Sequence, residues 1–234
     1  MTSQRRLAGL AVTLAVVVAG CSGGHGSSNA TSTKLTGLFK ITPGACATAK
    51  GKPTGSYLVV ISAAAGKTVG NKHGGCVNPA YTLLRPGADG GLVTGEFQDV
   101  SGAAFDSHGN GRANRIVVPT AFGSRRFGIA TNTHDQQGAA NGQPAYPRPA
   151  AIATGSSLRV DLRSLVITYG GPASSTCEQA FGVGCWELGS ENATGTYDAT
   201  SAHYLINWFS GESFTAKGDS IEVHLEGTFV PQSG

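Results

Sequence analysis

From Leu35 onward the chain reads as strand and turn, and several of its runs alternate apolar and polar residues with a period of two. In "DSIEVHLEGTFV", Ile221, Val223 and Leu225 take one side and Glu222, His224 and Glu226 the other, as in a strand with one packed and one wet face. "AHYLINWFSG" fills a second strand with aromatic and β-branched residues. In "SLRVDLRSLVITYG", Leu158, Val160 and Leu162 alternate with Arg159, Asp161 and Arg163, and then Leu165 and Ile167 resume on shifted parity. A β-bulge near Ser164 would produce that shift. Further strands are predicted at Leu38–Ile41, Tyr57–Ser62, Ala80–Leu84, Leu92–Gln98, Arg115–Val118 and Phe127–Thr131. Glycine-rich turns separate them at "RPGADGG", "HGNGRAN" and "SGESFTAKGD". After Cys21, no stretch free of Gly and Pro exceeds 15 residues, which leaves no room for long helices. The predicted fold class is all-β, an antiparallel sandwich or barrel. One short helix is expected where Ser175 and Glu178 form a capping box and Gly182 ends the turn. The longest stretch without a strand pattern is Thr133–Ile152. Loops of this length either work or move, so it is read as a binding surface or a solvent loop, with His134-Asp135 as its candidate groups.

The first 34 residues follow another pattern. Arg5 and Arg6 precede an apolar or small run, Leu7–Gly20, of 14 residues. A membrane-crossing helix needs about 20, so the run is read as an export signal, residues 1–20. Ala8 and Gly9 stand where a twin-arginine signal wants strongly apolar residues, and the arginines are read as a plain positive segment. Val18-Ala19-Gly20-Cys21 resembles the lipobox of bacterial lipoproteins, with Val18 where Leu is usual. The resemblance implies a diacylglycerol on the Cys21 sulfur, removal of the signal, and attachment to the outer side of the cell membrane. Two acyl chains anchor stably at roughly 0.8 kcal/mol per buried CH₂. "SGGHGSSNATSTK" then reads as a tether over residues 21–34 with an average reach of roughly 20 Å. Residues 35–234 are expected to form a single β-rich domain.

Composition fits this organisation. Without the signal, 214 residues remain, with 15 basic against 14 acidic. No basic patch stands out, which argues against a nucleic-acid partner. Glycine, 35 of 234, is twice the usual share of about 7%. Charged residues, at 13%, are half the usual share of about 25%. The surface is therefore carried largely by Ser, Thr, Asn and Gln. With Cys21 lipidated, Cys46, Cys76, Cys177 and Cys185 remain, an even number that reads as two disulfides outside the cytosol. Of the three pairings, Cys46–Cys76 and Cys177–Cys185 join neighbours in sequence and are favoured. Neither pair has the tight spacing of a zinc site, and no metal or cofactor is expected.

Candidate chemistry is sparse. Gly66-Lys67-Thr68 follows a strand as in a phosphate-binding loop, but Ile61 stands where that motif needs glycine, so Ala65–Gly70 is read as a turn. Asp106, His108, Asn110 and Gly111 have the spacing of a calcium loop, but Val117 stands at the position of its late carboxylate. Asn110-Gly111 is read first as a hairpin turn, with calcium as the alternative. On one strand face, Glu222, His224 and Glu226 line up. That row reads as a solvated polar face, or as a metal or acid–base site. No nucleophile elbow or Ser-x-x-Lys acylation motif occurs.

"GTYDATSAHYLINWFSG" through "HLEGTF" resembles a loose group of uncharacterised secreted bacterial proteins that share a Gly-x-Tyr-Asp segment, a Trp-bearing strand and a closing His-Leu-Glu-Gly-Thr-Phe strand. The resemblance covers about the last forty residues, with echoes at "DGGLVTG" and "FDSHGN". It implies a β-rich exported domain and carries no activity with it. Val223 stands where the group usually has Trp. The expected role is binding or structural, toward an envelope protein, ligand or wall polymer. The alternative is an envelope hydrolase with carboxylate and histidine groups assembled by the fold.

Overall fold

In a computed structural model of the chain, the residues described are 31–46, 51–62, 65–100, 102–133, 145–169, 185–188, 192–210 and 220–232. They form strands, turns and no helix. The strands in chain order are β1 (Ser32–Leu35), β2 (Gly37–Ile41), β3 (Tyr57–Ser62), β4 (Lys67–Thr68), β5 (Thr82–Leu83), β6 (Gly91–Val93), β7 (Thr120–Phe122) and β8 (Arg125–Thr131), followed by β9 (Ala150–Thr154), β10 (Ser157–Asp161), β11 (Leu165–Tyr169), β12 (Cys185–Leu188), β13 (Ala193–Asp198), β14 (His203–Phe209) and β15 (Ser220–Pro231). Eleven strands make one sheet in the order β1-β9-β10-β13-β14-β15-β2-β6, with β3 on β15 and with β4 and β5 on β3. A second sheet has the order β12-β11-β8-β7. The large antiparallel sheet curls into a half-barrel, an arrangement between the sandwich and the closed barrel that the sequence leaves open.

Alternation explains the curl's contents. Phe39, Leu58, Val60, Leu158, Val160, Tyr204, Ile206, Trp208, Ile221, Val223 and Phe229 point into the concavity, where they meet Phe127, Ile129, Leu165 and Ile167 of the small sheet in one core. Phe39 sits at its centre, its ring 5.0 Å from Tyr204 and 4.8 Å from Phe229. Such ring pairs add about 0.5–1.5 kcal/mol beyond burial. Tyr204 is buried among these rings, yet its hydroxyl donates to the carbonyls of Phe39 and Lys40 at 3.1 and 3.2 Å, so burial leaves no orphaned donor.

The twelve-residue β15 organises the site. Along one edge it pairs with β14 from Glu222 to Thr228. Along the other it pairs first with β3, from Ser220 to His224, and then with β2, from Gly227 to Pro231. The edge thus changes partners beside Leu225 and Glu226. The Ser56 hydroxyl fills the fork: the Glu226 amide donates to it at 2.9 Å, and it donates to the Glu226 carbonyl at 3.2 Å. Thr42 N–H also donates to that carbonyl, at 2.8 Å.

Several local expectations are corrected. No bulge lies near Ser164. The parity shift marks the chain crossing from β10 in the large sheet to β11 in the small one, through a turn closed by Leu165 N–H on the Leu162 carbonyl at 2.9 Å. Leu162 and Leu165 are both buried, one before and one after the crossing. The predicted strand Leu92–Gln98 ends at Val93. Gln98 folds back instead: its Oε1 accepts from Val93 N–H at 2.8 Å and its Nε2 donates to the Gly91 carbonyl at 2.8 Å, so a side chain does what a strand partner would. Arg115–Val118 is not a strand, although Ile116 and Val117 are core residues. It lies against residues 85–89 with one isolated bridge, Pro86 to Val117, because proline has no N–H to give a ladder. The last residues expected in the tether are strand. Ser32–Lys34 belong to β1, which is laddered onto β9 from Ser32↔Thr154 to Leu35↔Ala151. Part of the supposedly patternless Thr133–Ile152 is strand too, as β9 begins at Ala150. Gly66-Lys67-Thr68 closes the β3–β4 hairpin, with Gly66 at φ 57°. The predicted helix at 175–182 lies outside the described residues.

Candidate functional site

The row Glu222, His224, Glu226 lies on the outer face of the half-barrel, but the expectation of a solvated row fails at its centre. His224 is buried, with 6% of its surface exposed. Its cross-strand neighbours are Tyr57 on β3 and Asn207 on β14. The Tyr57 ring stacks on the imidazole at 4.6 Å and 17°, and Lys52 Nζ lies over the Tyr57 ring, 5.4 Å from its centroid. Asn207 Oδ1 lies 2.6 Å from His224 Nδ1. An amide oxygen only accepts, so Nδ1 carries the proton and Nε2 is the basic nitrogen. Nε2 faces Glu226 Oε2 at 3.9 Å.

Glu226 gathers the rest. Its Oε2 accepts from the Gly55 amide at 3.1 Å, an N–H that the fork between β2 and β3 leaves without a ladder partner. Its Oε1 lies 3.3 Å from His203 Nε2, on β14. Burial, reinforced by the nearby Lys52 charge, pushes the His224 pKa below the ordinary imidazole value, against the opposing pull of Glu226. The neutral imidazole is therefore the resting form. Chemically the arrangement can hold a proton between a basic nitrogen and a carboxylate, but the ring is covered by Tyr57, and Nδ1 and both Glu226 oxygens already face protein groups.

Other predicted site residues fare differently. Cys46 and Cys76 form a disulfide with a Cα–Cα distance of 5.8 Å. Cys21, Cys177, His134 and Asp135 lie outside the described residues. Cys185 is described only as backbone of β12, so its pairing with Cys177 lies outside them as well. At the calcium-like loop, the Asp106 carboxylate accepts from the amides of His108 and Asn110 at 2.8 and 2.9 Å and from the Asn110 side chain at 2.9 Å. These bonds, led by the Asn110 side chain, lower its pKa to about 2. The residue with positive φ is Gly109, at 78°, and its N–H closes the turn on the Asp106 carbonyl at 3.1 Å, so the turn runs over Asp106–Gly109 and ends before Asn110-Gly111. Gly111 serves packing: a Cβ there would strike the carbonyl of Thr168. Among the described residues no cluster of three or more His, Cys, Asp or Glu side chains is arranged to hold a metal, and no helix is long and apolar enough to cross a membrane.

The sequence reading missed His203 and Asn207. They belong to another strand, and only the β14–β15 register brings them beside Glu226 and His224. It also missed a cleft of about 340 Å³ next to the disulfide, where His73, Arg85 and Arg126 converge over Gly44, Gly74 and Gly75. These residues come from separate segments, and no spacing in the sequence links them. Compared with known proteins, the chain matches no family model, no curated protein and no solved structure.

Proposed function

We propose that this chain is a lipid-anchored envelope protein, held at the outer side of the membrane through Cys21, whose β body binds and does not catalyse. One observation carries the non-catalytic part: the only described histidine in the predicted polar row, His224, is buried beneath Tyr57 and bonded to Asn207. A general base needs reach to the proton it removes, and this imidazole is spent on holding β3, β14 and β15 together. The Cys46–Cys76 disulfide supports the compartment, because such bonds persist outside the reducing cytosol.

An envelope hydrolase is the second reading. What favours it is the continuous contact from Asn207 through His224 and Glu226 to His203, a histidine–carboxylate chain of the kind that enzymes use. The two readings separate on a panel of chromogenic ester, phosphoester and glycoside substrates, tested with the wild-type chain and with His224→Ala. The binding reading expects the same background hydrolysis from both. Turnover by the wild type that His224→Ala abolishes while staying folded would establish the hydrolase.

A further inference from the structure

We propose that the cleft beside the disulfide is an oxyanion site, taking a phosphoryl or carboxylate group of a small ligand. The proposal rests on the binding role above and gives that role a ligand class. Its walls carry His73, Arg85 and Arg126 and no Asp or Glu. Two of the described arginines bond acids: Arg115 bonds Asp89 at 2.8 Å and Arg163 bonds Asp161 at 2.6 Å. Among the described residues, the guanidinium groups of Arg85 and Arg126 form no salt bridge. Two unpaired guanidinium groups in one concavity of a chain with so few charges concentrate positive potential there. Each offers the planar fork that matches a carboxylate or phosphate edge.

The cleft is a built feature of the fold. Asn71, 1% exposed, ties its two walls together. Its Nδ2 donates to Thr82 Oγ1 and to the Ala121 carbonyl, both at 2.8 Å, while its Oδ1 accepts from the His73 amide at 3.0 Å. The segment bearing His73 is thereby fixed to β7, one strand from Arg126 on β8. The disulfide secures the same segment from the other side, joining Cys76 to Cys46. The floor is glycine by necessity. Gly75 has φ 89°, and a Cβ on Gly44 or Gly74 would strike the carbonyl of Ser56 or of Tyr81. A volume of about 340 Å³ lies at the lower end of ligand pockets, which run from roughly 300 to 1,000 Å³. It suits a small anion or the end of a larger one.

The test uses the full-length chain in detergent micelles, titrated at constant ionic strength with inorganic phosphate and, separately, with citrate. The readout is the side-chain Nε–H resonances of Arg85, Arg126 and Arg159, the last on β10 of the outer face. Saturable shifts are expected at Arg85 and Arg126 and not at Arg159. Arg85→Ala and Arg126→Ala should each raise Kd about tenfold, and Arg159→Ala should leave it unchanged. Arg85→Lys and Arg126→Lys keep the charge without the fork; they should weaken binding severalfold with the fold intact, which covers the case of an unstable alanine variant. Saturation by phosphate alone assigns a phosphoryl ligand, and saturation by citrate alone a carboxylate. Shifts that never saturate, or that are equal at Arg159, would overturn the site, as would a Kd unchanged in Arg85→Lys and Arg126→Lys; these results would leave the binding role standing. Chemical conversion of a bound organic anion would uphold the site and contradict the non-catalytic reading.

Discussion

At the scale of the residue, protonation of His224 is the sharpest lever on the fold. Its folded pKa lies below that of the unfolded chain because burial, first, and Lys52, second, disfavour the cation. The stability it lends is complete above the ordinary imidazole value of about 6.5 and is lost as pH falls below it, toward the folded value. The groups around it are Tyr57, which stacks on it, Asn207, which bonds its Nδ1, Glu226 at 3.9 Å from Nε2, and the Lys52 charge. In thermal unfolding between neutral and mildly acidic pH, His224→Gln should therefore lose less stability than the wild type does. A wild-type curve just as flat would contradict the burial argument. Asp106 acts lower on the scale. Its folded pKa of about 2 lies below the unfolded 3.8, so its contribution is present above 3.8 and disappears as pH falls toward 2. Asp106→Ala removes the acceptor of two backbone amides, and hydrogen exchange at His108 and Asn110 should accelerate at neutral pH.

The element scale shows how strand register makes the site and where the sequence runs out. Gly227 lies where β15 passes from β3 to β2, and a Cβ there would strike the Lys40 carbonyl. Gly227→Ala should cost at least the roughly 1–3 kcal/mol of an overpacked core, read as a lower denaturation midpoint. Strands with strong alternation, such as Ser157–Asp161 and the one through His224, were legible because a packed face and an outer face impose period two, whereas Tyr57–Ser62 was legible as a short apolar run buried on both faces. Short strands such as β7, with Thr120–Phe122, carry too few residues for a pattern. Core residues of Arg115–Val118 look like a strand because burial selects apolar residues whether or not a ladder forms. Within the site, the His224–Glu226 alignment could be read from spacing. The covering Tyr57 and the partners His203 and Asn207 depend on which strands are neighbours, which alternation does not encode. Cleft residues His73, Arg85 and Arg126 are further from legibility, since their shared location arises only from the tertiary fold.

For the whole molecule, the disulfide and the proposed anchor bear on where the protein works. The Cys46–Cys76 bridge closes a loop with a sequence separation of 30, and restricting such a loop in the unfolded chain is worth about 2–4 kcal/mol. Replacing both cysteines by serine should lower stability by about that amount in urea denaturation, and reducing the wild-type bridge should lower its stability toward that of the variant. The disulfide fits the proposed location outside the cytosol, and in that proposal the lipobox-like segment at Cys21 would supply the route and the attachment. Intact-mass spectrometry of the native protein, extracted from its own cells without reductant, tests this account most directly. The account predicts a chain that begins at Cys21, carries the added mass of a diacylglycerol, and shows no free thiol at Cys46 or Cys76. A soluble chain that still carries residues 1–20, with Cys21 unmodified and Cys46 and Cys76 reduced, would contradict it.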